Sequence, residues 1–264
     1  MGFEDLKKIE KEEDRVKALY NIFNEDSRLS SKAARIEFLT TIRQLEKYLK
    51  PGMRILDLGA GAGEYSLYLA GKGFDVTAVE LVDKHVELIN TKKSEGMKLE
   101  AIQGNALDLT EFKDNYFDIV LCLGPLYHLF KIEDRLKCIN GVKRICSNNG
   151  VMFFAFINND MVIATEAMCY EADLKDSYYN HDNFKVVDFP FVFSTIEQAR
   201  DILKKCNIQI IGEVASDGLS ELLAHKINHM DDESYNLWLN YHFYCSEKRE
   251  FLGSSNHLLF IGKK

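Results

Sequence analysis

The sequence predicts an α/β fold, a sheet flanked by helices, and two observations carry that prediction. A short apolar run, Ile55-Leu56-Asp57-Leu58, enters a turn with glycine at Gly59, Gly61 and Gly63, and a helical pattern follows at once. Between residues 51 and 157, strand-like runs then alternate with helix-like stretches, the pattern of a sheet whose strands are joined by crossover helices.

The elements follow in order. Residues 3–24 and 31–49 read as helices, the second with an apolar stripe of Ile36, Leu39, Ile42, Leu45 and Leu49, ended by Lys50-Pro51-Gly52. After the glycine turn come a helix over 65–70, a Gly71-Lys72-Gly73 break, and a strand over 75–80 closing on Glu80. A helix over 83–90 leads to a strand over 98–103. The run from Phe117 to Leu123, apolar apart from Asp118, reads as a buried strand stopped by Gly124-Pro125. A helix over 133–146 passes through Asn148-Asn149-Gly150 into a strand over 151–157.

Beyond that point the chain departs from plain alternation. Residues 158–193 form an insertion with a helical piece over 161–170 and an aromatic stretch of Tyr178, Tyr179, His181 and Phe184, fit either for a lid or acceptor wall or for a dimer contact or self-packed loop. A helix over 194–206 opens on Ser194 or Thr195 with Glu197 or Gln198 three residues on, a capping-box spacing. A strand over 208–214, helices over 219–230 and 233–244 within an insertion at 218–250, and a strand over 257–261 complete the chain. The stripe Leu237, Tyr241 and Tyr244 is expected to face the core. No repeat or low-complexity linker divides the 264 residues, so one domain is expected, with 1–50 helical, 51–157 as its ligand-binding core and 194–264 as the second half of the sheet.

The chemistry centres on the glycine turn. Glycines there allow tight turning and leave no side chain in the way of a ligand, and the following helix aims its free N–H groups at the same place. A dinucleotide fingerprint, G-x-G-x-x-G, does not fit: read from Gly59 its sixth position is Glu64, which opposes a pyrophosphate, and read from Gly61 it is Ser66. What stands from Asp57 to Gly63 is D-x-G-x-G-x-G. In this the chain resembles the class I S-adenosylmethionine-dependent methyltransferases, and the resemblance runs from about residue 50 to 157. It implies a Rossmann-like, seven-stranded sheet with the last strand antiparallel beside the fifth, and S-adenosylmethionine as cofactor, leaving as S-adenosylhomocysteine.

The resemblance also implies roles. Asp57 and the loop Gly59, Ala60, Gly61 and Gly63 would hold the donor's amino-acid end, Glu80 the ribose hydroxyls, and Leu81 the adenine face. Asn105 and Ala106, where the family often has Gly-Asp-Ala, would take the adenine edge, Asn105 by its amide oxygen; Asp108 substitutes if the loop is shifted. Leu123 and Gly124 would lie by the methionine end. Tyr127 and His128 are the polar side chains nearest the expected reaction centre, with His128 either a base for an acceptor that must lose a proton or a residue packed among Leu126, Leu129 and Phe130. Glu80 alternatively starts the following helix, and Asn105 alternatively serves a plain turn. Helices before the first strand often cover the donor site in this fold, so Tyr20 and Arg35 either approach the ligand or, the preferred reading, belong to helix packing or solvent.

Composition narrows the partners. A formal net charge of −8 and the lack of a lysine–arginine track disfavour nucleic acid. No apolar run is long enough for a membrane span, and Met1 to Arg15 is too charged for a signal peptide. Six cysteines without a C-x-x-C pair read as reduced thiols of a cytoplasmic protein. His225 and His229, four apart, lack a third ligand nearby, so no metal is expected. The expectation is an enzyme, monomer or homodimer, acting on an O or N atom of a small molecule. Its rivals are a protein or RNA methyltransferase and a non-catalytic S-adenosylmethionine-binding regulator.

Overall fold

A computed structural model describes residues 3–170 and 172–264, with side chains from Asp5 onward. Met1 and Gly2 of the charged N-terminal stretch, and Glu171 of the insertion, lie outside the described residues. Three helices come first: α1 (Phe3–Leu6), α2 (Glu12–Ile22) and, after a 3-10 turn at Glu25–Ser27, α3 (Lys32–Glu46). The expected helix over 3–24 is therefore two pieces. The alternating segment follows as β1 (Arg54–Leu58), α4 (Glu64–Gly71), β2 (Asp75–Glu80), α5 (Asp83–Lys92), β3 (Leu99–Gln103), β4 (Phe117–Cys122), α6 (Ile132–Ile145) and β5 (Cys146–Asn158). The rest is α7 (Asn159–Cys169), β6 (Phe193–Ser194), α8 (Ile196–Lys205), β7 (Gln209–Ala215), α9 (Ala224–Asn228), α10 (Asp232–Ser246) and β8 (His257–Lys263).

Hydrogen bonding orders the strands β3-β2-β1-β4-β5-β8-β7, and the two-residue β6 adds to β5. β1 to β5 run parallel, while β8 is antiparallel to both β5 and β7. The seven-stranded sheet with an antiparallel last strand beside the fifth is thus present. β6 is the addition. Ile157 already pairs with His257 of β8, so its pairing with Phe193 falls on the edge of β5 that β4 uses further back.

Alternation along the strands explains the layers. Leu56, Leu58, Val120, Cys122, Met152 and Phe154 pack on one face, and Ile55, Ile119, Leu121, Val151 and Phe153 on the other. Successive side chains point to opposite faces, so a strand apolar at every position is covered on both. Asp118 is the exception within β4. Its Oδ2 accepts from the Arg54 backbone N–H at 2.9 Å, which satisfies the acid at the sheet's lower end.

Two expectations change. The helix foreseen over 219–230 is regular only at Ala224–Asn228. On α10, Leu237, Tyr241 and Tyr244 are exposed, at 64%, 46% and 69%. The buried stripe is the one displaced by a single residue, with Trp238 against α3, and His242 and Cys245 buried. Both sets share the helical spacing, so periodicity alone does not choose between faces about 100° apart.

Candidate active site

The glycine turn sits at the C-terminal end of β1, where open α/β sheets receive their ligands. Gly59, Gly61 and Gly63 all take positive φ, at 74°, 54° and 83°, conformations that disfavour any side chain. The amides of Gly59 and Ala60 donate to the Val79 carbonyl, at 2.8 and 3.2 Å, which ties the turn to β2. Glu80 completes the tie. Its Oε2 accepts from the Gly61 N–H at 2.7 Å and its Oε1 from the Val82 N–H at 2.9 Å. A carboxylate offers about four lone-pair sites, so the buried Glu80 retains acceptor capacity toward a ligand.

Asp57 lies beneath the turn, almost fully buried, and accepts from Ser66 Oγ at 2.6 Å. Burial pushes its carboxyl up to about 6, with the Ser66 hydrogen bond opposing and the Glu80 charge adding to the rise. Gly63 begins α4 from behind the turn. A Cβ there would meet Ile89 Cγ1 at 2.6 Å. Glu64, in the first turn of α4, pairs with Arg35 at 2.9 Å.

A cavity of about 540 Å³ opens above these residues. It is lined by Asp57, Gly59, Ala60, Gly61, Glu80, Leu81, Asn105, Ala106, Leu123, Gly124, Tyr127 and His128. The residues singled out from the sequence for the donor or the reaction therefore reach one cavity, except Gly63 and the substitute Asp108, which do not line it. Asn105 Oδ1 accepts from the Leu107 N–H at 2.9 Å and so also closes a local turn. Asp108 lies outside, exposed and bonded to Thr110.

The N-terminal segment covers the cavity, so for Tyr20 the ligand-facing alternative holds over the preferred packing reading, while Glu25 and Arg28 were not foreseen. Tyr20 lines it and shares a 2.8 Å hydrogen bond with His128 Nε2. Glu25 and Arg28 line it too, whereas Arg35 is engaged with Glu64 and the Phe38 ring. Glu12, Val16 and Tyr20 recur at the i, i+4, i+8 spacing of one helix face, the one local signal that this face meets something. Burial pushes the His128 imidazolium down to about 4, against the pull of Glu80, so the ring is neutral near pH 7. Its Nδ1 is buried without a partner among the described residues. Burial raises the Tyr20 and Tyr127 hydroxyls well above the ordinary phenol range, so both stay protonated.

Behind the cavity runs a charged chain. Arg28 donates to Glu25 at 3.0 Å and, through two nitrogens, to Glu37 at 2.8 and 3.3 Å. His257 Nδ1 lies 2.7 Å from Asp217 and 3.7 Å from Glu37. Burial opposes charge on His257, but Glu37 and Asp217 outweigh it and hold the ring protonated up to about 9. Glu37, Asp217 and His257 are grouped closely enough for a metal, yet two cations already neutralise the carboxylates. His229 Nδ1 turns to the His225 carbonyl, at 2.7 Å.

Residues 56–154 match the family of methyltransferase domains. YqeM of Bacillus subtilis, to which methyltransferase activity is ascribed provisionally, is 30% identical over 110 residues, covering 42% of this chain and 44% of that protein. The ubiquinone biosynthesis O-methyltransferase of Rickettsia akari is 30% identical over 107 residues, covering 40% and 41%. The chain thus spans less than half the length of these two relatives. Among solved structures, an S-adenosylmethionine-dependent methyltransferase from Methanosarcina mazei shares the fold at a TM-score of 0.56 and 20% identity, over 84% of this chain and 96% of that one. The glycine turn, the acid closing β2 and the strand order fall within or around the matched segment, so residues 56–154 are a methyltransferase domain set in a fold shared with an S-adenosylmethionine-dependent methyltransferase.

Proposed function

We propose that the protein transfers a methyl group from S-adenosylmethionine to an oxygen or nitrogen atom of a small-molecule acceptor, releasing S-adenosylhomocysteine. The observation that carries this reading is the single cavity joining the positive-φ glycine turn, Glu80 and the Tyr127–His128 segment. Its volume lies within the roughly 300–1,000 Å³ of small-molecule sites. The residues fit such a donor: a turn without side chains, a strand-end carboxylate with spare acceptor capacity, and the apolar Leu81 and Ala106 for a flat base. Glu64 at the cavity wall weighs against a pyrophosphate ligand. Six free cysteines, five of them buried, agree with a reducing cytoplasmic setting.

When bound, the donor supplies a methyl group activated by its sulfonium, and much of the acceleration comes from holding the acceptor in line with it. The chain's part is orientation and proton handling. Tyr20 and His128 share one hydrogen between Oη and Nε2, which leaves Nδ1 as the open position of the ring. If Tyr20 donates, Nδ1 carries a hydrogen and orients an acceptor oxygen; in the other tautomer Nδ1 is the acceptor. A ring depressed to about 4 accepts protons weakly at neutral pH, which favours orientation over full proton abstraction. Tyr127, protonated and facing the cavity, offers a second hydrogen bond.

Calorimetric titration with S-adenosylhomocysteine, with NAD and a Glu80→Ala variant as controls, tests the reading. Saturable binding that weakens about tenfold or more in Glu80→Ala is expected, in line with losing hydrogen bonds to a charged group. No binding of S-adenosylhomocysteine by the folded wild-type protein would overturn it.

A further inference from the structure

The donor that the proposed function requires ends in an α-amino acid, a carboxylate and an ammonium carried on one carbon. Resting on that reading, we propose that Arg28 and Glu25 form a clamp for this end, Arg28 taking the carboxylate and Glu25 the ammonium, so that the N-terminal segment selects nucleosides carrying an amino-acid tail.

Geometry supports the assignment. The 3-10 turn at Glu25–Ser27 crosses directly above the glycine turn: a Cβ on Gly61 would lie 3.2 Å from Glu25 Cγ and 3.3 Å from Glu25 Oε1. Arg28 Nε donates to that same Oε1 at 3.0 Å. The two side chains, 35% and 18% exposed, thus present opposite charges side by side on the cavity wall. A zwitterion can add to such a pair head to tail, each of its ends meeting the opposite charge.

Capacity remains on both partners. A guanidinium has five N–H donors, and three hydrogen bonds, one to Glu25 and two to Glu37, engage Arg28 among the described residues. Glu37 holds the guanidinium through two nitrogens, so this cavity-lining arginine has little freedom left to lose on binding. The turn and the end of α2 are anchored to α5, by Lys92 to Asp26 and by Lys84 to the Tyr20 carbonyl. Asp57 is the alternative partner for the ammonium. It is 2% exposed, already bonded to Ser66, and its charge is disfavoured by burial. Glu25 is the more accessible carboxylate.

The test compares S-adenosylhomocysteine with methylthioadenosine, which keeps the thionucleoside and lacks the amino-acid end. Binding is read by calorimetry on the full chain, with folding checked by circular dichroism. Wild-type protein is expected to bind S-adenosylhomocysteine at least about tenfold more tightly. Arg28→Met should remove about tenfold or more of the S-adenosylhomocysteine affinity, the scale of a charge-assisted contact, and leave methylthioadenosine within about twofold. Glu25→Gln, nearly isosteric and checked for folding in the same way, should weaken S-adenosylhomocysteine severalfold with the same selectivity. Parallel weakening of both ligands, or no effect of either variant, overturns the clamp and leaves the donor reading standing. Failure of wild-type protein to bind either nucleoside overturns the donor reading, and the clamp with it.

Discussion

Tyr20 Oη lies 2.8 Å from His128 Nε2, so α2 and the segment after β4 are joined by one hydrogen bond across the cavity. The contact spans 108 residues of sequence, and the Tyr20 ring also meets the His128 and His85 rings edge-on at 5.4 and 5.3 Å. Tyr20→Phe keeps those ring contacts and removes only the hydroxyl. Because His128 Nδ1 is already unpartnered, the variant leaves a buried imidazole with neither nitrogen bonded. A buried polar group without a partner costs about 1–3 kcal/mol. Urea denaturation should show an unfolding free energy lower by that amount, read as a lower midpoint at an unchanged slope. An unchanged midpoint would mean that solvent replaces the hydroxyl.

Two histidines set opposite limits on stability. His128 titrates near 4 when folded against an ordinary 6.5, so the unfolded chain takes the proton first. Its contribution is whole above about pH 6.5 and is lost as pH falls toward 4. His257 is held protonated up to about 9, so its contribution is whole below 6.5 and is lost as pH rises through 9. Each shift corresponds to on the order of 3 kcal/mol at most. Urea midpoints measured across pH should therefore decline on both sides of neutrality. His257→Asn should flatten the alkaline limb and His128→Asn the acid limb. An alkaline limb that persists in His257→Asn would assign it to other groups.

Much of the site was legible because its signals are local. The glycines at alternate positions, the acid ending β2 and the apolar run closed by Gly124-Pro125 each describe a short backbone event, and each lies where the sequence put it. Three features were not legible, for different reasons. The part of the cover formed by Glu25 and Arg28 depends on where the chain lands after α2, which the helical spacing of Glu12, Val16 and Tyr20 does not encode. The orientation of α10 depends on a choice between two adjacent stripes of like spacing. The early start of β5 was hidden by Asn148-Asn149-Gly150, which reads as a turn. There the chain makes an irregularity within the strand, with Gly150 packed so closely on Cys146 and the Asp118 carbonyl that a Cβ would overlap both.

Thr195 offers a test remote from the cavity. Its hydroxyl accepts from the Gln198 N–H at 3.2 Å, and Gln198 Oε1 accepts from the Thr195 N–H at 2.9 Å, both arms of the capping box that starts α8. Thr195→Ala removes one arm and frees the other. A loss of about 1 kcal/mol in stability is expected, with S-adenosylhomocysteine affinity unchanged. A change in affinity at that site would reveal coupling between α8 and the cavity that the contacts do not provide.

Gly61 and Gly63 are two residues apart, share a positive φ, and should nevertheless fail in different ways. An alanine in that region costs about 1–2 kcal/mol, partly offset by roughly 0.4–1 kcal/mol from the stiffer unfolded chain. At Gly63 the new methyl meets Ile89, fully buried in the core beneath α5, which adds an overpacking cost of about 1–3 kcal/mol. At Gly61 it meets only the side chain of Glu25, which can swing away but then leaves Arg28 and the turn. Gly63→Ala should therefore lose about 2–4 kcal/mol of stability, while Gly61→Ala should lose about 1 kcal/mol and weaken S-adenosylhomocysteine binding disproportionately. Thermal melts and calorimetry on the two variants separate these outcomes. Should Gly63→Ala keep its stability and lose the ligand, Gly63 would belong to the binding surface rather than to the packing behind it.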